Sequence, residues 1–384
     1  MGLARQAAIV GVYEHPTRFA PNKTAFQLMA ESARGALADA GLSLKEVDGL
    51  CSTGLGFGAT GIVSLCEYLN LKPGFVDSTA IGGASFVAHA AHAAAAIAAG
   101  LCSVVLIVYG STAASQRLAI GTAGIGSADP ADQYETPFGP TTVASYALVA
   151  ARHMHEYGTT AEQLAEIAVT TRMHAGLNPQ AKYREPITVE DVLASRTIAS
   201  PLRLLDCCII SDGAGAFVMT SAERARELRR RPIWLLGAGE AVGHGEGGLR
   251  DYLETAAAQS GRAALARAGV AHREIDLAMI YDSFTITVLV TLENLGFCRR
   301  GEGGSFVSGG RLRFDGALPV NTDGGGLSSN HPGMRGVFLV IEAVRQLRGE
   351  AGPAQVRDCR IALVHGTGGT LGLRHSGATL VLAN

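Results

Sequence analysis

The sequence predicts an α/β protein made of two similar halves, and three observations support this fold class. Candidate strands and candidate helices alternate along most of the chain. Short apolar strands such as 103–109, SVVLIVY, show no alternation of polar and apolar residues, which is typical of strands covered by helices on both faces. Residues 34–48 (RGALADAGLSLKEVD) and 262–276 (RAALARAGVAHREID) are identical at eight of fifteen positions, which indicates two copies of one helix–turn–strand unit.

The hydrophobic pattern predicts the order of the elements. Strands are predicted at 6–13, 47–51, 103–109, 214–220, 232–238, 276–281, 359–365 and 377–382. Helices are predicted at 24–40, 61–70, 84–99, 143–157, 161–176, 249–268, 284–295 and 333–348. We expect a first half over residues 1–230 and a second over 231–384. An insertion at about 111–205 is expected to form a lid or a substrate wall.

Composition restricts the class of protein. The 384 residues are 47% hydrophobic and 17% charged with a net charge of −2, which favours a compact protein, often an oligomer. No basic stripe or zinc-finger spacing occurs, so nucleic acid is not an expected partner. Seven cysteines without a CxxC pair favour a reducing cytoplasm. The uncharged segment 78–116 is rich in alanine and breaks at Gly100, so a helix and a strand are expected there instead of a membrane span.

Three further motifs favour structural roles. GAGEAVG at 237–243 has GxGxxxG spacing, not the GxGxxG of dinucleotide-binding turns, so we expect a glycine-rich bend that leaves a strand. Cys207 and Cys208 are expected to be buried structural thiols. His89 and His92 lie on one face of a predicted helix, but no carboxylate or third ligand is evident, so no metal site is predicted.

Two turns at predicted strand ends carry candidate functional residues. In MIYDSFT (279–285), Tyr281 and Asp282 stand between a buried strand and a helix, at the sheet edge where α/β proteins bind ligands. The structural alternative is a core tyrosine with Asp282 as the helix N-cap, which we favour for Asp282. In VHGTGG (364–369), His365 lies in a second glycine-lined turn.

A third turn, SSNHPGMRG (328–336), carries His331. Pro332 suits the first turn of a helix, so His331 would lie near a helix N-terminus, where the dipole disfavours a charged imidazole. A neutral histidine can donate a hydrogen bond to an oxyanion. If the three turns converge at one edge of the sheet, they form a pocket.

The chain resembles the thiolase superfamily along nearly its whole length. The resemblance is carried by LLDCC followed by SDGA, by YDSF, by NTDGGGLSSNHP and by the closing HGTGG. It is strongest to the sterol-carrier-protein-type, thiolase-like branch, often labelled lipid-transfer proteins. The resemblance implies two βαβαβαββ halves packed in five α-β-α-β-α layers. It also implies a homodimer that acts on a coenzyme A thioester and needs no tightly bound cofactor.

The departures from the family pattern narrow the expected chemistry. Thiolases carry a nucleophilic cysteine at the start of the buried helix, where this chain has Gly83, Ala84 and Ser85. Ser85 has no evident base and is a weak nucleophile without one. Tyr281 stands where the branch has histidine or asparagine. The last catalytic cysteine of thiolases falls near His365.

A missing cysteine together with this tyrosine resembles the thiolase-like retro-aldolases that cleave 3-hydroxyacyl-CoA side chains in steroid breakdown. PLRLLDCC (201–208) and IEAVRQLRG (341–349) extend that likeness. A second active-site tyrosine of that group is absent, because Asn330 precedes His331 here.

The resemblance therefore implies a carbon–carbon lyase that acts on a 3-hydroxyacyl-CoA. Tyr281 would be the acid or base, and His331 would hold the enolate oxygen with help from the backbone at Gly83. His365 would carry a second proton, and Asp282 would orient the turn. The alternatives are an acetyl-CoA acetyltransferase of thiolase type and a non-catalytic acyl-CoA-binding subunit. By family analogy, a small OB-fold and zinc-ribbon protein is a possible partner.

Overall fold

Strands and helices alternate in the computed structural model, which describes residues 3–54, 60–118, 135–139, 141–246 and 249–384. The strands are β1 (Ala7–Glu14), β2 (Gly49–Cys51), β3 (Phe75–Asp77), β4 (Val104–Ser111), β5 (Thr197–Ala199), β6 (Leu202–Arg203), β7 (Gly213–Ser221), β8 (Ile233–Gly243), β9 (Leu277–Ile280), β10 (Ile361–Gly369) and β11 (His375–Ala383). The α-helices are α1 (Ala25–Ala40), α2 (Gly61–Leu69), α3 (Ser85–Ala98), α4 (Thr142–Tyr157), α5 (Ala161–Leu177), α6 (Val189–Ala194), α7 (Ala222–Glu227), α8 (Ala256–Ala268), α9 (Thr285–Leu295), α10 (Gly303–Val307) and α11 (Gly336–Arg348).

The main sheet shows the duplication directly. Its strand order is β3-β2-β4-β7-β1-β8-β11-β10-β9, so the second half repeats the first in reverse order across the sheet. In the first half, β7 pairs antiparallel with both β1 and β4. In the second half, β11 pairs antiparallel with both β8 and β10. β4 and β10 then pair in parallel with β2 and β9. The halves join where Ala8 pairs with Trp234 and Ile9 with Ile233.

Three hydrophobic clusters separate five layers. The middle cluster contains α3 and α11 together with one face of the strands of both halves. A second cluster packs α1 and α2 on the outer face of the first half. A third packs α8 and α9 on the outer face of the second half. The predicted α-β-α-β-α arrangement is confirmed, and the middle helix layer lies between the two halves.

The internal repeat has a packing explanation. A Cβ atom at Gly11 in β1 would lie 2.1 Å from the carbonyl oxygen of Ala36 in α1. A Cβ atom at Gly237 in β8 would lie 2.2 Å from the carbonyl oxygen of Ala264 in α8. Ala36 and Ala264 are an identical pair of the repeat, so each half uses glycine on the strand and alanine on the helix for one close approach.

Some predicted elements differ from the structure. The helix predicted at 249–268 begins at Ala256, and the helix predicted at 333–348 begins at Gly336. The interpretation of GAGEAVG as a bend was wrong, because β8 continues to Gly243 and pairs with β11 throughout.

The surroundings of the helical histidine pair also differ from expectation. His92 does have carboxylate neighbours, since its Nδ1 lies 2.5 Å from Asp77 Oδ2 and its Nε2 lies 3.1 Å from Glu240 Oε2. Asp77 lies on strand β3 and Glu240 on β8. Neither carboxylate is close to His92 in sequence, so only the folded sheet brings them to this histidine.

The predicted insertion lies between β4 and β7. Its described part carries α4, α5, α6 and the β5–β6 hairpin. Residues 119–134 and 140 of the predicted insertion lie outside the described residues. The division predicted between residues 230 and 231 falls in the connection from α7 to β8. No helix in the described ranges has both the length and the apolar character needed to cross a bilayer.

Candidate active site

Tyr281 is placed by the parallel pair β9 and β10. It follows directly after β9, and its backbone N–H donates to the carbonyl oxygen of His365 at 3.0 Å, which extends the pairing by one residue. Side chains alternate along β9, so Tyr281 points to the same face as Met279 and lies in the middle cluster. Its side chain is buried between the two halves of the protein.

His331 is held from both sides by residues of the first half. Its backbone N–H donates to Ser211 Oγ at 2.9 Å. The hydroxyl of Tyr109 donates to the carbonyl oxygen of Pro332 at 2.6 Å. The preceding residues, Gly325–Ser329, form a single turn of π-helix that brings the chain back toward β9. These contacts fix the backbone on each side of the imidazole.

Tyr281 and His331 form a buried pair. The Tyr281 hydroxyl oxygen lies 2.9 Å from His331 Nε2, and the two rings are perpendicular at a centroid distance of 5.6 Å. The hydroxyl also has a weaker acceptor in the carbonyl oxygen of Gly333 at 3.4 Å. His331 Nδ1 is buried and has no hydrogen-bond partner among the described residues. One ring nitrogen is thus engaged, and the other is buried without a partner among the described residues.

Both members of the pair are neutral at pH 7. Burial raises the pKa of Tyr281 well above its usual value, and nearby Cys208 and Tyr109 add to the effect. Burial, assisted by the charge of Arg335, lowers the pKa of His331 to about 4. The expected neutral state of His331 therefore has a different main cause from the predicted helix dipole. Helix α11 begins at Gly336, so Pro332 is not in its first turn.

Gly83 leaves space for the Tyr281 ring. Residues Gly82–Ala84 form one 3-10 turn that leads into α3. A Cβ atom at Gly83 would lie 2.1 Å from Tyr281 Cε2 and 2.6 Å from the carbonyl oxygen of Thr367. No side chain fits at position 83 while Tyr281 keeps its place. The ring occupies the volume next to the helix start where the family resemblance puts the thiolase nucleophile.

Ser85 is tied into the same turn. Its hydroxyl donates to the carbonyl oxygen of Gly82 at 2.7 Å and accepts from the Ile81 N–H at 2.9 Å. The side chain is fully buried. Both hydrogen bonds stabilise the backbone of the turn, and Ala84 contributes no reactive group.

Asp282 orients a loop instead of capping a helix. The N-cap residue of α9 is Phe284, so the predicted capping role was wrong. The Asp282 carboxylate accepts from the N–H groups of Gly326 at 2.7 Å and Leu327 at 3.2 Å. Burial raises the pKa of Asp282 to about 6, although Arg335 opposes the shift. Asp282, which directly follows Tyr281, thereby connects the loop after β9 to the turn before His331.

Asn330 and His365 occupy different surroundings. Asn330 Nδ2 donates to Glu14 Oε1 at 2.6 Å, deep in the loop that carries His331. His365 pairs with Ile280, the residue before Tyr281. Because side chains alternate along a strand, the His365 ring points to the opposite face of the sheet from the Tyr281 ring. Its Nδ1 lies 2.8 Å from Thr379 Oγ1, and burial lowers its pKa to about 3. The structure does not bring the His365 side chain to the Tyr281–His331 pair.

Sequence reasoning did not identify three residues that shape the site. Ser211 and Tyr109 hold the His331 loop, as described above. Arg335 is fully buried and contacts both loops of the site. Its signal in the sequence is a single cation between a glycine-rich turn and the apolar stretch GVFLVI (336–341).

Comparisons with known proteins agree with this fold. A family model described as Thiolase C-terminal domain-like matches residues 235–384. The 17-hydroxy-3-oxo-4-pregnene-20-carboxyl-CoA lyase of Mycobacterium tuberculosis is 36% identical over 363 residues, which cover 90% of this chain and 92% of that protein. The acetyl-CoA acetyltransferase of Methanothermobacter thermautotrophicus is 34% identical, covering 96% of this chain and 97% of its own.

A solved structure gives the same result. The Ltp2-ChsH2(DUF35) aldolase has a TM-score of 0.88 and 35% sequence identity, and the alignment covers 99% of this chain and 98% of that chain. The duplicated five-layer fold and the buried pair at its centre define a thiolase-fold protein, and the chain belongs to the thiolase superfamily. Within it, the chain belongs to the sterol-carrier-protein-type, thiolase-like branch.

Proposed function

We propose that this protein is a carbon–carbon lyase that cleaves a 3-hydroxyacyl-CoA thioester by retro-aldol chemistry. The observation that carries the proposal is the Tyr281 ring, which fills the space beside Gly83 and meets His331 at 2.9 Å. A covalent acyl-enzyme route needs a nucleophile at the start of α3, and Ser85 is engaged there in two backbone contacts. Retro-aldol cleavage needs proton transfer and enolate stabilisation only. The lyase and aldolase relatives support this reaction class.

The reaction balances without an oxidant or a second substrate. The 3-hydroxyl group of the substrate loses its proton to the enzyme, and its oxygen forms a carbonyl with C3. The C2–C3 bond breaks, and its electron pair passes to C2 and the thioester oxygen as an enolate. The enolate then takes a proton at C2. The products are a ketone or aldehyde and a shorter acyl-CoA.

The Tyr281–His331 pair can carry this proton. When the Tyr281 hydroxyl donates to His331 Nε2, its oxygen keeps lone pairs that can accept the substrate proton, while its own proton moves to Nε2. This relay avoids a free tyrosinate, which the raised pKa of Tyr281 disfavours. It forms an imidazolium, which the lowered pKa of His331 disfavours, so the negative enolate formed in the same step must compensate that charge. Nδ1 of His331, which is buried without a partner among the described residues, would then donate to the thioester oxygen.

Other residues support the enolate and the loops. Helix α3 presents its N-terminus at Gly83 and Ala84, where the helix dipole favours negative charge. Asp282 and Asn330 hold the two loops that carry the pair. We assign His365 no part in the step, because its ring lies on the other face of β10.

The proposal includes the molecular partners expected from the sequence. The substrate is an acyl-CoA, no tightly bound cofactor takes part, and the chain forms a homodimer in the cytoplasm. A small OB-fold and zinc-ribbon protein assists it. The name of the Ltp2-ChsH2(DUF35) aldolase joins two components, which supports a partner protein.

The test is a single-turnover assay with enzyme in excess. The substrates are 3-hydroxy-3-methylbutyryl-CoA, which would give acetone and acetyl-CoA, and the steroid thioester that the mycobacterial relative is named for. Mass spectrometry detects the shortened acyl-CoA. Tyr281→Phe should lower the rate by about 100-fold or more. Tyr13→Phe is the control, because Tyr13 packs with the outer cluster of the first half.

Undiminished cleavage by Tyr281→Phe would contradict the role proposed for Tyr281. The lyase proposal itself would be contradicted by a wild-type protein that cleaves neither substrate, or by an acyl-enzyme adduct in the intact mass after incubation with acetyl-CoA. The adduct would instead favour a thiolase-type acetyltransferase. This is the second candidate function, because the methanogen relative is named an acetyl-CoA acetyltransferase.

A further inference from the structure

We propose that Arg335 is the positioning residue that holds Tyr281 and His331 at hydrogen-bond distance, an inference whose kinetic test rests on the proposed function. Arg335 stands just before α11 and is the largest fully buried side chain of the described residues. It lies beside the pair, but its hydrogen bonds go to Asn330 and Asp323 and not to either ring. Its role would therefore be exerted through the residues next to them.

The guanidinium of Arg335 joins three segments. Nη1 donates to Asn330 Oδ1 at 2.9 Å and to the Asn330 carbonyl oxygen at 3.3 Å. Nη2 donates to both carboxylate oxygens of Asp323, at 2.7 and 2.5 Å. Nε forms an ion pair with Asp282 Oδ1 at 3.2 Å. One planar group thus contacts the loop after β9 and both ends of the turn before His331.

These contacts explain how the pair is kept in register. Asp282 directly follows Tyr281, and Asn330 directly precedes His331. A displacement of either loop relative to the other must break at least one contact of Arg335. A lysine would supply the charge, but its single ammonium group cannot reproduce the planar fork that reaches three partners.

The burial of Arg335 supports a functional reason for its presence. A buried ion network is weak evidence for stability, because apolar residues of similar size often stabilise a core as well or better. Here the network continues through Asn330 to Glu14, which also pairs with Arg18 and Arg345. The positive charge of Arg335 also assists burial in lowering the pKa of His331, which keeps that imidazole neutral.

The experiment compares Arg335→Lys with a matched control. Arg348→Lys changes another buried arginine of the same helix, which donates to Asp39 and to the carbonyl oxygen of Val10, each at 2.8 Å. Both variants should lose thermal stability. Only Arg335→Lys should lower kcat, by about 100-fold if the pair shifts by about 1 Å, with KM changed less than about 2-fold.

A double-mutant cycle separates positioning from a general loss of structure. In a Tyr281→Phe background the pair no longer exists, so Arg335→Lys should lower kcat by less than about 2-fold more. Multiplicative losses in the double variant would overturn the inference. An unchanged kcat in Arg335→Lys would overturn it as well.

A measurement without turnover distinguishes this inference from the proposed function. Nitrogen-15 NMR of labelled histidines should show one fixed tautomer for His331 in the wild type and averaging between tautomers in Arg335→Lys. A wild-type spectrum in the variant would refute the positioning role even if the protein cleaves no 3-hydroxyacyl-CoA. If Arg335→Lys does not fold, Asp282→Asn weakens the same link and should show the same pattern at smaller size.

Discussion

Replacing Gly83 by alanine tests the central packing contact of the site. The new Cβ atom would lie 2.1 Å from Tyr281 Cε2, 2.7 Å from Cζ and 2.6 Å from the Thr367 carbonyl oxygen. Non-bonded carbon atoms are ordinarily at least about 3.5 Å apart, so the Tyr281 ring must move by more than about 1 Å. It cannot move freely, because its side chain is buried and its hydroxyl group contacts His331 Nε2. We expect a loss of about 1–3 kcal/mol in the free energy of unfolding from overpacking.

The same displacement should reduce activity. A shift of about 1 Å separates the Tyr281 hydroxyl from His331 and should lower kcat by about 100-fold. Urea unfolding measures the stability, and steady-state turnover with the thioester substrate in excess measures kcat. Gly74→Ala is the control, because no atom lies within 4 Å of the Cβ position at Gly74. A Gly83→Ala protein with wild-type stability and kcat would refute the reasoning, since the space beside Tyr281 would then be open.

Three further substitutions test other contacts. Ser85→Ala should lower the free energy of unfolding by about 1–2 kcal/mol, because two buried backbone groups each lose a hydrogen bond. The variant should keep kcat within about 3-fold of the wild type. A complete loss of turnover at unchanged stability would instead make Ser85 a candidate nucleophile. Gly237→Ala should destabilise the protein by at least about 1–3 kcal/mol in urea unfolding, whereas Gly245→Ala should be neutral, since only the first meets helix backbone. Burial lowers the pKa of His89 to about 4, so between about pH 6.5 and 4 only the unfolded chain binds its proton, and stability falls as the pH falls. His89→Leu should make the free energy of unfolding less dependent on pH in that window; an unchanged slope would contradict this.

The α/β class and the two halves could be predicted because strand and helix patterns are local in the sequence, whereas the five-layer arrangement was implied by the family resemblance. The long strands of the main sheet carry continuous apolar runs, and the glycine after each Ala-rich helix of the repeat adopts a positive φ, 72° at Gly41 and 65° at Gly269. Short elements such as β3 and α10 were missed, because three to five residues carry no periodic signal. The start of α8 was placed too early because nothing in 249–255 distinguishes a loop from a helix by hydrophobicity.

The site was less predictable because its decisive contacts join distant segments. The end of a predicted strand identified Tyr281, and the glycine-flanked turn before a predicted helix identified His331. The structure places the two side chains together. Strand alternation decides that His365 faces away, but the register that sets this alternation is a property of the sheet. Asp282 contacts the N–H groups of residues 44 and 45 positions further along the chain, so its neighbours cannot be inferred from spacing.

The duplicated frame explains where the chemistry can arise. The acid–base pair belongs to the second half by sequence, but the first half supplies Gly83 behind the ring and Ser211 behind His331. The site is therefore a property of the contact between the halves, in the middle layer where α3 meets β9 and β10. Positions 83 and 281 are coupled there by volume, because a Cβ atom at position 83 would meet both the Tyr281 ring and the backbone carbonyl oxygen of Thr367. Glycine at the first position and tyrosine at the second therefore leave no space for a nucleophilic side chain at position 83, which agrees with a reaction that needs no covalent intermediate.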